Sequence, residues 1–136
     1  MEDPRFSFAR YQLPAILWAL VIFVSSSIPA NELPKFGILK IDKLLHFGVF
    51  FIFCALTHRA LKFQDRYRSL SSRSIMFSIL ITIFYGTVDE FHQAFVPNRD
   101  SNIFDLLADA LGAFLYVGLL WLWTRIRTPR SDTVLE

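Results

Sequence analysis

Four long apolar stretches occupy most of this 136-residue chain, and their length leaves few ways to fold it. The hydrocarbon core of a bilayer is about 30 Å thick and takes about 20 helical residues to cross. The stretches at residues 11–28, 41–62, 74–94 and 103–123 approach that length. The first has no ionisable side chain beyond Tyr11 at its start, and the second has an apolar middle over residues 47–57. The third stays apolar until Asp89 and Glu90, and the fourth is interrupted only by Asp105 and Asp109. None alternates with the two-residue period of a barrel strand. The pattern predicts an all-α integral membrane bundle of four transmembrane helices, forming one domain over residues 1–136. Composition agrees, with 54% hydrophobic and 19% charged residues and a mean hydropathy of +0.41.

Several classes fall away. Disorder requires low hydrophobicity and high net charge, and a net charge of +2 is too small for a nucleic-acid surface. The single cysteine, Cys54, leaves no internal disulfide framework and no zinc site built on several thiolates. It reads as a buried filler, and the phenylalanines around it (Phe47, Phe50, Phe51, Phe53) as packing and lipid-facing surface.

The connections set the orientation. Residues 29–40 contain Pro29, Pro34 and Gly37 and read as a turn-rich loop, residues 64–73 are polar and basic, and Pro97-Asn98 signals a turn. Ten of the fourteen Lys and Arg residues fall on one face, in the N-terminal tail, the middle loop with its flank, and the C-terminal tail. The other face has Lys35, Lys40, Lys43 and Arg99. The positive-inside rule therefore predicts cytoplasmic N and C termini, with frayed polar tails and with Trp121 and Trp123 in the inner aromatic belt. Arg5 and Arg10 ahead of an apolar run ending in Ser25, Ser26 and Ser27 also suit a cleaved signal peptide, which would leave three helices. The full-length span and Pro29 favour retention.

Polar residues within the spans mark a site. At about 1.5 Å per residue, Asp42, His46, Asp89, Gln93, Asp105 and Asp109 all stand roughly 21–30 Å above the basic boundary. Asp42 and His46, Asp89 and Gln93, and Asp105 and Asp109 are each spaced i,i+4, so each pair shares one helix face. His92 lies three residues from Asp89, and Gly112 offers a close approach for a neighbouring helix. Seven of the twelve acids fall toward this outer side, with Lys43 and Arg99 placed to balance them. The remaining inner half shows no polar trail, which argues against a transporter.

In order, the chain carries Ser26-Ser27-x-Pro29, the run Asp42-Lys43-Leu44-Leu45-His46-Phe47, Asp89-Glu90-x-x-Gln93, Pro97-x-Arg99, and Asp105-x-x-x-Asp109-x-x-Gly112. This ordered set, over about residues 14–122, resembles the VanZ-like family of small bacterial membrane proteins. The resemblance implies a four-helix protein of the bacterial cell membrane. It also implies a link to teicoplanin, because the founding member is associated with resistance to that glycopeptide. Family motif membership falls on Asp42, Lys43, His46, Asp89, Glu90, Gln93, Arg99, Asp105 and Gly112, and none of these is implied to be catalytic. The position of Asp109 is commonly Asn in the family pattern, so this chain carries an additional anion.

The chemistry of these side chains supports three readings. Lys43, His46, Asp89, Gln93, Arg99 and Asp105 could bind an envelope component, such as a lipid-linked cell-wall intermediate or a glycopeptide that targets it. Arg suits bidentate phosphate contact and Lys acts as a point charge. Alternatively Lys43 snorkels and Arg99 pairs with Asp89 or Asp105. As an enzyme acting on a lipid phosphate or glycolipid head group, the protein would draw acid–base groups from Asp42, His46, Asp89, Glu90, Asp105 and Asp109. No Ser or Cys nucleophile elbow accompanies them; Ser25, Ser26 and Ser27 read as capping or packing groups. Asp89, Glu90, Asp105 and Asp109 could hold a divalent cation, with His46 or His92 adding an imidazole, or they could protonate or pair. In the third reading the polar layer only sets helix register, and there is no ligand. His58 and Arg59 read as an interface anchor.

Overall fold

Proline decides where the first helix breaks. Pro14 has no N–H to give to the preceding turn, and backbone bonding passes from Gln12 N–H to Phe8 O (2.9 Å) and then resumes at Ala15 and Ile16, which both donate to Gln12 O. The computed structural model, which describes residues 4–29 and 39–127 and side chains over 7–29 and 42–127, therefore shows two helices at the start, α1 (Pro4–Tyr11) and α2 (Leu13–Ser26). The expected span over 11–28 is thus reduced to an apolar helix of 14 residues, and part of the tail expected to fray is helical. Then follow α3 (Leu39–Lys62), α4 (Arg68–Ser72), α5 (Ser74–Gln93) and α6 (Ile103–Arg127). The apolar part of α3 (Asp42–Lys62), α5 and α6 are each long and apolar enough to cross a membrane. The short α4 forms inside the basic loop, where Ser71 Oγ donates to Lys62 O at 2.8 Å. Most of the loop over 29–40, with Glu32, Pro34, Lys35 and Gly37, lies outside the described residues, as do Arg130 and the side chains of Arg5 and Lys40.

Helices α3, α5 and α6 pack on one another, and α2 lies against α3 and α5. Two helices approach closely at Gly112 of α6, where a Cβ would stand 2.3 Å from Phe47 O and 3.0 Å from Phe51 N of α3. Removing the side chain there lets the two backbones touch, which substitutes for the weak hydrophobic drive between helices in lipid. α2 is fastened differently, by aromatic side chains that donate to backbone. Trp18 Nε1 reaches Val49 O at 3.0 Å, and Tyr85 Oη reaches Ala19 O at 2.6 Å. These polar handles border a cluster of Ile22, Phe50 and Phe53, while Cys54 is fully buried.

The half of the bundle away from the acids is less apolar than its sequence suggests. Ser74, Ser78, Thr82 and Gly86 recur every four residues on α5, and the three hydroxyl residues are buried. Ser78 Oγ donates to Ile75 O at 2.8 Å, and Cys54 Sγ lies 3.8 Å from Ser78 Oγ. His58 contacts Tyr116 Oη through Nδ1 at 2.7 Å, so it joins α3 to α6 rather than serving only as an interface anchor. A buried polar strip thus does run beneath the acids, correcting the expectation of an inner half without one. Small hydroxyls are hard to distinguish from packing residues by sequence, because they can bond back to their own helix.

The packing at Gly112 is directly testable. Gly112→Ala should lower stability by about 1–3 kcal/mol, the usual scale for overpacking. Gly118→Ala, where nothing lies within 4 Å of an added Cβ, should leave it unchanged. Thermal unfolding of both variants in one detergent provides the comparison.

Candidate functional site

Two helix ends with opposite needs organise the polar end of the bundle. The C-terminus of α2 presents carbonyls, and Arg99 meets them: Nε donates to Ile28 O and Nη2 to Ser25 O, both at 3.1 Å. The turn that returns Arg99 to this place passes through Pro97 and Asn98, the latter at φ 60°, a left-handed conformation that Asn tolerates better than most residues. The start of α6 presents N–H groups, and Glu90 meets one of them: Oε2 accepts from Asn102 N–H at 2.8 Å. Asn102 Oδ1 in turn accepts from Phe104 N–H at 3.0 Å, in the manner of an N-cap. A cation at a helix C-terminus and an anion at an N-terminus both complement the helix dipole.

Between these ends, polar side chains from four helices meet. Asp89 is buried and accepts from Ser26 Oγ across the α2–α5 contact and from Gln93 Nε2 at 2.9 Å. Gln93 Oε1 then accepts from Arg99 Nη1 at 3.3 Å, so Arg99 is linked to Asp89 through an amide rather than by a direct ion pair. On α3, His46 Nδ1 lies 3.1 Å from Asp109 Oδ1 and 4.0 Å from Glu90 Oε1. Asp109 is fully enclosed, and Gly86 makes room for it: a Cβ there would stand 2.7 Å from Asp109 Oδ2. Lys43 Nζ pairs with Asp105 Oδ1 at 2.6 Å, and Phe104 lies under the ammonium.

Among the described residues, two groupings have donors close enough to share a metal ion, Asp42 with His46 and Asp105, and His46 with Glu90 and Asp109. Asp42 is exposed, whereas Glu90 and Asp109 are buried. Beside them a cleft of about 360 Å³ opens between α2, α3 and α5. Asp42, His46, Asp89, Gln93 and Arg99 line it, together with Ser25 and Ser26. Lys43 and Asp105 do not line it and are occupied with each other. His92 sits apart, with Nε2 3.0 Å from Ser27 Oγ and its ring against Phe23.

Ser26, Gly86 and Asn102 belong to this arrangement but were not among the site residues read from the sequence. Ser26 was visible in the Ser-Ser-x-Pro motif, although its partner 63 residues away was not. The fourfold spacing of Ser78, Thr82 and Gly86 toward Glu90 was the available signal for Gly86. Asn102 could have been found as the polar residue just ahead of a long apolar run.

Membrane-length helices that draw their acids to one end describe a multi-pass integral membrane protein with a buried polar cluster. Residues 9–124 match the VanZ/LLP1 family, and the chain belongs to it. No curated protein and no solved structure matches the chain.

The Ser26–Asp89 contact gives a second test. Ser26→Ala leaves a buried carboxylate oxygen without its donor and should cost about 1–3 kcal/mol. Ser25→Ala, which removes an exposed hydroxyl bonded to Val21 O of its own helix, should cost well under 1 kcal/mol by the usual scale for surface changes. Unfolding midpoints of the two variants against the parent would show the difference.

Proposed function

We propose that the protein binds an amphiphile with an anionic head group, a phosphate-bearing lipid-linked intermediate of the cell envelope, in the cleft between α2, α3 and α5. The observation that carries this reading is the cleft's own polarity. Along α2 the lining passes from Trp18, Val21 and Ile22 to Ser25 and Ser26, and along α3 from Phe50 and Val49 to His46 and Asp42, with Asp89, Gln93 and Arg99 at the polar end and Leu45 and Ile28 among them. From Trp18 to Ser26 the helical rise is about 12 Å, enough for a short length of hydrocarbon below a head group. Arg99 has five N–H donors, of which three are bonded to protein. The other two are available to phosphate oxygens, for which a guanidinium fork is well shaped. Lys43 contributes less in this reading, because Asp105 already holds it.

The family's association with teicoplanin resistance fits binding of this kind, since a glycopeptide acts on cell-wall intermediates displayed at the membrane surface. A protein that holds such an intermediate alters how much of it the drug meets.

Placing this site on the outer side requires four spans and cytoplasmic termini. The opposite end of the bundle supports that placement. Arg125 and Arg127 lie over Trp121 and Trp123, and Arg59 lies over Tyr11. Gln12 Nε2 reaches Ala60 O at 3.1 Å, gathering the start of α2 with the end of α3. Alkaline phosphatase inserted within residues 30–38 should be active, and a fluorescent protein fused after Glu136 should be bright. The reverse pattern would overturn the orientation.

Binding can be tested in lipid nanodiscs with a polyprenyl monophosphate, following Trp18 fluorescence in a Trp121→Phe, Trp123→Phe background. Arg99→Lys should weaken binding about tenfold, or about 1.4 kcal/mol. Leu45→Phe, at an exposed position on the cleft wall, should weaken it by crowding the chain. Equal affinity for the unphosphorylated polyprenol, or unchanged binding in both variants, would reject the reading.

A further inference from the structure

We propose that His46, Glu90 and Asp109 form a site for one divalent transition-metal ion, with zinc and manganese the fitting class. The site goes beyond the lipid-binding reading and does not depend on it. Four observations lead to it.

The first is unspent bonding capacity. Glu90 Oε1 and Asp109 Oδ2 are buried carboxylate oxygens with no hydrogen-bond partner. Glu90 is 5% exposed and Asp109 0%. Glu90 Oε1 is aimed at the imidazole, 4.0 Å from His46 Nδ1. An unsatisfied buried carboxylate oxygen is costly enough to call for a specific compensating group.

The second is charge. Asp89, Glu90, Asp105 and Asp109 are all buried at this end, and among the described side chains only Lys43 and Arg99 are there to offset them. Lys43 is committed to Asp105, and Arg99 reaches Asp89 through Gln93. Glu90 and Asp109 are the pair left without a Lys or Arg; His46 beside them carries at most one positive charge, whereas a single dipositive ion would neutralise both.

The third is spacing. The donor atoms of the three residues lie within 4.8 Å of one another. Nitrogen and oxygen ligands bind zinc tetrahedrally at about 2.0–2.2 Å, so donors around one ion stand about 3.3–3.6 Å apart. The widest separation here therefore has to close by at most about 1.2–1.5 Å, a movement that rotation of the three side chains can supply. Any proton held between Nδ1 and Asp109 would leave as the ion arrived.

The fourth is the ligand set and its framework. One imidazole with two carboxylates suits a borderline ion, whereas calcium and magnesium favour oxygen alone. The three come from α3, α5 and α6, the mutually packed helices, and Gly86 keeps the space beside Asp109 clear. Three protein ligands leave at least one coordination position open, and His46 is also part of the cleft wall.

The competing trio, Asp42 with His46 and Asp105, is less suitable because Asp42 is exposed and Asp105 holds Lys43. The test uses the full chain in detergent, freed of metal with a chelator, then titrated with Zn²⁺ and Mn²⁺ and measured for bound metal after desalting. One ion per chain is expected. Glu90→Gln retains an oxygen for Asn102 N–H, so the start of α6 is preserved while the ligand is weakened. It and Asp109→Asn should each lower affinity at least tenfold, and Asp42→Asn should leave it unchanged. Zn²⁺ should also raise the unfolding temperature of the parent and not that of Glu90→Gln, which keeps the test decisive if Asp109→Asn does not fold.

Failure of the parent to retain metal would overturn the proposal. So would loss of binding in Asp42→Asn with Glu90→Gln unaffected, or equal preference for Ca²⁺. Arg99→Lys should keep the ion while weakening polyprenyl phosphate, so either reading can fail without the other.

Discussion

Carboxylates inside a membrane-length bundle must each be met by something, and the rest of the arrangement follows from how that is done. Asp89 takes a serine and an amide, Asp105 takes a lysine, and Glu90 gives one oxygen to the start of a helix. Each answer comes from a different element, so the polar cluster fixes the relative height of α2, α3, α5 and α6 more strictly than apolar contact could. Sliding one helix by a turn would separate its acid from its partner. Lipid tails, being as apolar as leucine, impose little penalty on such sliding, and polar contacts therefore carry much of the register.

Close approach is the complementary requirement. Gly112 brings α6 against the α3 backbone, and Gly86 gives Asp109 a place to sit beside α5. These two glycines act through what they omit. Without the first, α6 would stand off from α3 and lengthen the His46–Asp109 contact. Without the second, the Asp109 carboxylate would have to turn away from the interior.

The long helices were legible in the sequence because mainly apolar stretches of about twenty residues have few other uses. The level at which the acids and His46 meet was also legible, since helical rise converts position into height. What a linear reading could not resolve was lateral placement. Lys43 and Arg99 both belong to the polar end, yet one lies beside Asp105 and the other caps α2. Helix breaks were similarly hidden: Pro14 lies within an apolar run whose hydrophobicity alone implies continuity. The hydroxyls of α5 looked like packing residues, and their shared face became apparent only once α5 was set against its neighbours.

The brevity of α2 has a consequence for the membrane itself. Its 14 residues rise about 21 Å, against a hydrocarbon layer of about 30 Å. In the four-span arrangement proposed above, the bilayer around so short a helix must thin, or α1 must be drawn into the interface to make up the difference, each at a fraction of a kcal/mol per ångström. Thinning would be greatest along the side where the cleft opens. Lipid head groups there would ride lower than elsewhere around the bundle, already near the level of Arg99 and His46. The fold would then deform its surroundings so that a polar group approaches the buried cluster without first leaving the bilayer.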